Sequence, residues 1–386
     1  LFYYLNLVQV SFLESPGGKG ALPIMSTRIY TLPVEQTQWS VDSTNNTIFN
    51  WEYDEGREKL LNLYEKGKDR QWNTNTRIDW SRPVDLENPF EFPDEFYALS
   101  VTPTWAKMDK SARAEWRLHH AAWLFSQFLH GEQGALVCTA KIVQTVPDID
   151  AKFYAATQVI DEARHVETYA RYLYQKLGLA YPINNSLKAL LNDIIVDSRW
   201  DFTYLGMQIL IEGLALAAFH LIRDGAQEPL AQSLNAYVMQ DEARHVAFGR
   251  LSLRDYYPQL TTKERDEREE FVVEACYLMR DRISEEEVYR HLGINNREIR
   301  EYLQVPEDGV DDFQRQLFSR IVPTIKDIGL WGPRVQKAFV DMGVLSFSEL
   351  NPDDLIAYDE TRAEEFDAMR RAQQLTEEVI ALGNSN

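Results

Sequence analysis

The hexapeptide Asp-Glu-Ala-Arg-His-Val stands at 161–166 and again at 241–246, and each copy sets a Glu three positions ahead of a His. Residues three apart share one face of a helix. Glu162 with His165, and Glu242 with His245, can therefore each offer a carboxylate oxygen and an imidazole nitrogen to one metal ion. Thirty residues before each of these glutamates lies another, Glu132 before Glu162 and Glu212 before Glu242. The two halves are thus related throughout by an offset of eighty residues, an internal duplication in register. Two helix hairpins packed together would gather four carboxylates and two imidazoles at one place, the ligand set of a dinuclear centre inside a four-helix bundle.

The segment around Glu212 supports this placement. Leu205, Ile209, Leu210, Ile211, Leu214, Leu216 and Phe219 make it apolar on nearly every face, so it belongs in an interior. An ionised carboxylate there needs compensation. Protonation or an Arg partner would serve for one Glu; for four in register a metal is the simpler answer. The donors are hard to borderline, with no thiolate set for structural zinc and no oxygen-only cage for calcium. Four negative charges balance two divalent ions and leave coordination positions open for dioxygen. Two irons, two manganese ions or a mixed Mn/Fe pair satisfy these donors equally.

With these residues in place, the chain resembles the ferritin-like non-haem diiron carboxylate superfamily. That group includes the hydroxylase subunits of bacterial multicomponent monooxygenases, the soluble acyl-carrier-protein desaturases and, more distantly, the small subunit of ribonucleotide reductase. The resemblance covers about residues 110–260 and rests on Asp-Glu-x-Arg-His in both halves with a Glu thirty residues ahead of each. It implies an all-α, ferritin-like four-helix bundle with Glu132, Glu162, His165, Glu212, Glu242 and His245 as ligands to two metal ions. Asp161 and Asp241 would accept from the His ring N–H groups, and Arg164 and Arg244 would complete a buried ion network. Charge pairing on a helix surface is the plainer reading of those four residues.

Departures from the relatives are specific. The monooxygenases tend to carry a Thr one turn after the third Glu, where this chain has Leu216. The arylamine N-oxygenases add a third His one turn before the last Glu-x-x-His, where this chain has Val238. The reductase subunit usually has Asp as its first ligand, and here it is Glu132. These differences predict a branch of its own. Tyr169 follows His165 by one helical turn and projects beside the centre, while the second copy has Gly249 in its place. In the reductase subunit a Tyr at this offset carries a radical; the expectation here is a hydrogen-bond donor or packing residue.

The implied function is a diiron oxygenase or oxidase that uses dioxygen as co-substrate to hydroxylate, desaturate or N-oxygenate a small-molecule or acyl-type substrate. The alternatives are a radical-generating subunit using Tyr169 and a ferroxidase or iron-storage protein. No glycine-rich dinucleotide fingerprint or cysteine cluster is present, which predicts an external electron donor, a ferredoxin or a reductase. Substrate, reductant and oligomeric state, a homodimer among the options, are not written in the sequence.

Composition narrows the class further. Of 386 residues, 45% are hydrophobic and 12% aromatic, enough for a large core. A net charge of −20 argues against nucleic-acid binding, since phosphate contacts need a basic surface. Only Cys138 and Cys276 are present, which points to a reducing, cytoplasmic setting. No apolar run is read as long enough to span a bilayer.

Four regions are expected. Residues 1–24 read as an extension foreign to the rest, before a plausible start at Met25. Residues 25–110 form an aromatic-rich arm, broken by prolines, with one short helix near 54–66; it should lie on the outer bundle surface, with closure of a cavity as the second option. Residues 111–260 hold the metal-binding bundle, with helices over 111–146, 151–178, 186–224 and 229–256. Residues 261–386 add further helices. Gln158 and Gln208, each one turn before a ligand, are second-tier candidates for the cavity. His119, His120, His130 and His220 have weaker claims.

Overall fold

The computed structural model describes residues 40–49, 56–305 and 310–383, and the expected extension at 1–24 lies outside them. Among the described residues the fold is helical without a β-strand. The first helix, α1, spans Glu58–Asp69. The long helix α2 (Lys110–Thr145) starts where the Asp109 side chain accepts from the Ala112 N–H, which satisfies one of the free donors of the first turn. It runs antiparallel to α3 (Ile149–Tyr172), whose N-terminus is capped by Asp148 after Pro147 breaks the chain. A second hairpin follows. It is made by α5 (Trp200–Gly225) and α6 (Pro229–Tyr256), with α4 (Asn185–Val196) ahead of it. The Glu228 side chain caps α6 and Pro229 occupies its first turn, where a missing N–H is harmless.

The single helix expected over 186–224 is two. The chain breaks at Asp197, and the reason lies across the bundle: Lys141 of α2 sends its buried ammonium to the carbonyls of Ile194, Ile195 and Asp197, satisfying the free C-terminal acceptors of α4. Nothing in the local pattern marks this stop. Within α5, Tyr204–Ile211 is wound as a π-helix that ends at Glu212. Such widened turns are rare and concentrate at functional sites, because the extra residue per turn re-aims the side chains that follow.

Contrary to the expectation that no apolar run could span a bilayer, helix α5 is long and apolar enough to cross a membrane by composition, yet 83% of its most apolar stretch is buried inside the protein. Its neighbours are the other bundle helices, and it carries Glu212 among them. α7 (Thr262–Asp281) is started by a Thr261/Glu264 capping box and is tied to α5 where Arg268 donates twice to Asp201, at 2.9 and 3.1 Å. Shorter helices follow, and the last, Pro352–Gly383, packs along α6.

The arm does more than cover the bundle. Trp72 reaches inward to the buried Asp241, and Phe92, Phe96, Tyr97 and Leu99 line a cleft of about 120 Å³ at one end of the bundle. Leu124 of α2 and Ile222 of α5 form part of its floor.

Candidate metal centre

The six predicted residues converge. Glu132, Glu162, His165 and Glu242 form one group whose donor atoms all lie within 4.8 Å of one another; Glu162, Glu212, Glu242 and His245 form the second. Glu162 and Glu242 belong to both, so they sit between two positions, with Glu132 and His165 outermost on one side and Glu212 and His245 on the other. All six are buried, none more than 5% exposed.

Both imidazoles turn Nδ1 toward the centre. His165 Nδ1 lies 3.2 Å from Glu132 Oε2, 3.3 Å from Glu162 Oε2 and 3.0 Å from Glu242 Oε1. His245 Nδ1 lies 3.0 Å from Glu162 Oε1 and 3.4 Å from Glu242 Oε2. One ring nitrogen carries at most one proton, which cannot serve three carboxylates. Glu162 Oε2, Glu212 Oε2, both Glu242 oxygens and His245 Nδ1 have no hydrogen-bond partner although all are buried. Orphaned donor atoms converging on two points fit a pair of divalent cations, by number, type and charge.

The electrostatics agree. Burial, and then the charge of Glu242, push Glu132 well above the usual carboxylate range. Burial pushes Glu212 up as well, followed by Glu242 and Glu162. Burial also acts on Glu162, but His245 and His165 outweigh it and hold that carboxyl low. Both imidazoles are raised well above their ordinary value: burial opposes this and the surrounding carboxylates win.

The Asp and Arg residues form a buried hydrogen-bonded layer behind the imidazoles. Each His hands its Nε2 to the Asp of the other half: His165 to Asp241 at 3.1 Å, His245 to Asp161 at 3.3 Å. Arg164 bonds both aspartates, and Arg244 bonds Asp241 while lying 3.8 Å from Asp161. The arm completes the layer. Gln71 Nε2 donates to Asp161 at 2.8 Å and its carbonyl accepts from Arg164 at 2.7 Å, while Trp72 Nε1 donates to Asp241 at 2.8 Å. Sequence reasoning missed Gln71 and Trp72, since nothing in an irregular arm marks two residues as reaching the core. It also missed Arg282, fully buried near Glu132, its Nε and Nη1 without partners.

Tyr169 donates to Asn235 Oδ1 at 3.0 Å and packs its ring near Phe125, Phe128 and Phe219. Burial raises its phenol well above the ordinary value, with Glu132 and Glu242 adding to the effect, so it stays protonated. The other histidines lie elsewhere: His120 on Glu285, His130 on the Tyr181 carbonyl, His119 on the Tyr181 hydroxyl, His220 beside Arg223.

A helical bundle enclosing two carboxylate–imidazole positions defines the class as a non-haem diiron oxygenase or oxidase of the ferritin-like superfamily. Residues 54–329 match the family described as p-aminobenzoate N-oxygenase AurF, and the chain belongs to that family. The departure at Val238 therefore lies inside this family and does not mark a branch apart from it. No curated protein matches the chain. Among solved structures, a Synechococcus protein with aldehyde deformylating oxidase activity is 15% identical with a TM-score of 0.44, covering 60% of this chain and 99% of that one. A mutant R2-like ligand-binding oxidase with an anaerobically reconstituted Mn/Fe cofactor is 18% identical with a TM-score of 0.42, covering 73% and 96%. These superpositions are loose, and the family match places the chain.

Proposed function

We propose that Glu132, Glu162, His165, Glu212, Glu242 and His245 hold two irons, with Glu162 and Glu242 shared, and that the protein N-oxygenates a small aromatic amine. The observation that carries this reading is the pair of four-residue groups with two members in common. The amine comes from the family's description; hydroxylation or desaturation would use the same centre. The balance is one amine, one dioxygen, two electrons and two protons giving one hydroxylamine and one water. When bound, the metal pair supplies the reduction of dioxygen.

The chain's own residues do the rest. Asp161 and Asp241 accept from the imidazole Nε2 positions and so keep each Nδ1 turned inward, while Arg164 and Arg244 hold the aspartates. Phe128, Tyr169 and Phe219 form an aromatic layer next to the Glu132 side, with ring centroids 4.9 to 5.9 Å apart. Leu124 and Ile222 of the open cleft lie one turn beyond Phe128 and Phe219, so the layer separates cleft from centre. It excludes water, and an apolar ring entering from the cleft would pack against it. Electrons come from a separate ferredoxin or reductase. We place the protein in the cytoplasm, where both buried cysteines stay free thiols, and a homodimer is compatible with this reading.

The test uses iron-loaded protein, a chemical reductant, labelled dioxygen and a panel of aromatic amines beside acyl chains. Oxygen from labelled dioxygen in an arylhydroxylamine supports the proposal. Ferrous oxidation alone, without an oxygenated organic product, would overturn it in favour of a ferroxidase. A tyrosyl resonance that vanishes in Tyr169→Phe would favour the radical-generating alternative.

A further inference from the structure

The eighty-residue register pairs residues around the centre as well as in it, and the paired positions differ in a consistent direction. On the Glu132/His165 side stand Phe128, Tyr169, Phe219 and Val238. Their partners on the Glu212/His245 side are Gln208, Gly249, Thr139 and Gln158. Every aromatic or branched residue of one layer is replaced in the other by an amide, a hydroxyl or nothing. Leu234 and Tyr154 follow the same rule.

The polar layer is buried and unsatisfied. Gln158 and Gln208 are 0% exposed, and so is Thr139. Gln158 Nε2 donates to Glu162 Oε1 at 3.0 Å and to Glu212 Oε1 at 2.9 Å, but its Oε1 has no partner. Neither Gln208 Oε1 nor Nε2 is bonded, nor are the Thr139 and Tyr154 hydroxyls. Among Phe128, Tyr169, Phe219 and Val238 the one polar group, the Tyr169 hydroxyl, is bonded to Asn235, and the unpartnered atoms near Glu132 are the charged Nε and Nη1 of Arg282. Orphaned buried polar atoms are costly and rare, and the eighty-residue register assigns these five to the Glu212/His245 side, where Gln158 already bonds Glu212. The chain accommodates them: a Cβ on Gly249 would stand 2.5 Å from Gln208 Cβ, so glycine there is what admits the amide.

We propose that Gln158, Gln208, Thr139 and Tyr154 form a buried water site against the Glu212/His245 side of the centre, and that protons reach the centre through it. Neutral amides and hydroxyls offer donors and acceptors together, which suits water; they carry no charge to hold a cation, and the neighbouring carboxylates repel an anion. A buried water typically takes two to four such partners. The two protons consumed in each turnover then arrive on the side away from the aromatic layer, so proton delivery and the apolar substrate do not compete for one path. The proton role rests on the function proposed above; the water itself does not.

A crystal structure of metal-loaded wild-type protein, at a resolution that shows solvent, should contain an ordered water within hydrogen-bond distance of at least two among Gln158 Oε1, the Gln208 amide and Thr139 Oγ1. An empty site, or a Gln208 amide bonded only to protein, overturns the proposal. Gln208 makes no hydrogen bond to any of the six candidate ligands, so Gln208→Leu should keep two metals per chain, lose the water, and show a lowered kcat with a larger solvent deuterium isotope effect and an unchanged KM. An unchanged kcat and isotope effect in that variant overturns the proton route. Wild-type protein that fails to bind two metals would instead refute the function proposed above, and the water density would still be read independently.

Discussion

His165 Nε2 lies 3.1 Å from Asp241 Oδ2, on the opposite hairpin, and the same relation holds in reverse between His245 and Asp161. The two halves therefore orient each other's ligands. An Asp on its own helix could hold a His only as firmly as that helix is placed; an Asp on the partner hairpin makes each position depend on the packing of both.

This crossing gives a site-specific outcome. Asp241→Asn, which keeps shape but weakens the acceptor, should lower metal affinity by about 10- to 100-fold at the His165 position. Asp161→Asn should do so at the His245 position. Competitive metal titration with site occupancy read by anomalous scattering checks this. Weakening of the His245 position by Asp241→Asn, with the other intact, would show that the aspartates act within their own helices.

Sharing of Glu162 and Glu242 separates two kinds of variant. Glu132→Ala, Glu212→Ala or His245→Ala should leave one metal per chain, whereas Glu162→Ala or Glu242→Ala should leave fewer than one. Metal analysis of the purified proteins decides. Two irons per chain in any of the five would refute the ligand set.

The arm should stabilise the bundle through its bonds to the Asp161 and Asp241 layer. Trp72→Phe removes the indole N–H that reaches Asp241 at 2.8 Å and should cost about 1 to 2 kcal/mol by denaturant unfolding. A larger loss than Gln71→Leu produces is not expected, since Gln71 both donates to Asp161 and accepts from Arg164.

Metal removal should destabilise the fold. Ions that bind only the folded chain add about 4 kcal/mol when free metal stands a thousandfold above Kd. Their ligands must lose protons: Glu132 and Glu212, raised by burial and neighbouring charge, and His165 and His245, raised by the surrounding carboxylates, hold theirs in the metal-free chain. Affinity should therefore rise with pH, and loading should release protons, measurable by calorimetry in buffers of different ionisation enthalpy. Proton-neutral loading would contradict this.

Both thiols should be silent in the native state. Burial pushes Cys138 and Cys276 from 9.0 up to about 12, so at pH 8 each holds about a thousandfold less thiolate than a free cysteine. Because folding raises these values, their contribution to stability is complete below pH 9 and is lost as pH rises toward 12. Aromatic disulfide reagents should label both only on unfolding.

Sequence by itself named the candidate ligands and most of the helices that carry them, the exception being the expected helix over 186–224, which is two. The duplicated motif and its thirty-residue lead named all six candidate ligands, because a helix converts spacing into facing at short range. The roles of Asp161, Asp241, Arg164 and Arg244 came only with the family resemblance, since the bonds of the aspartates to the histidines cross between the hairpins. What crosses between segments distant in the chain was decided only by the tertiary structure. Lys141 stops α4 from another helix, Trp72 and Gln71 arrive from an irregular arm, each His takes its acceptor from the opposite hairpin, and the Gln158 Oε1 and the whole Gln208 amide become buried without partners only once α3, α5 and α6 close around them. Helical periodicity fixes which residues share a face; which face meets which is set by packing, and no local spacing records it.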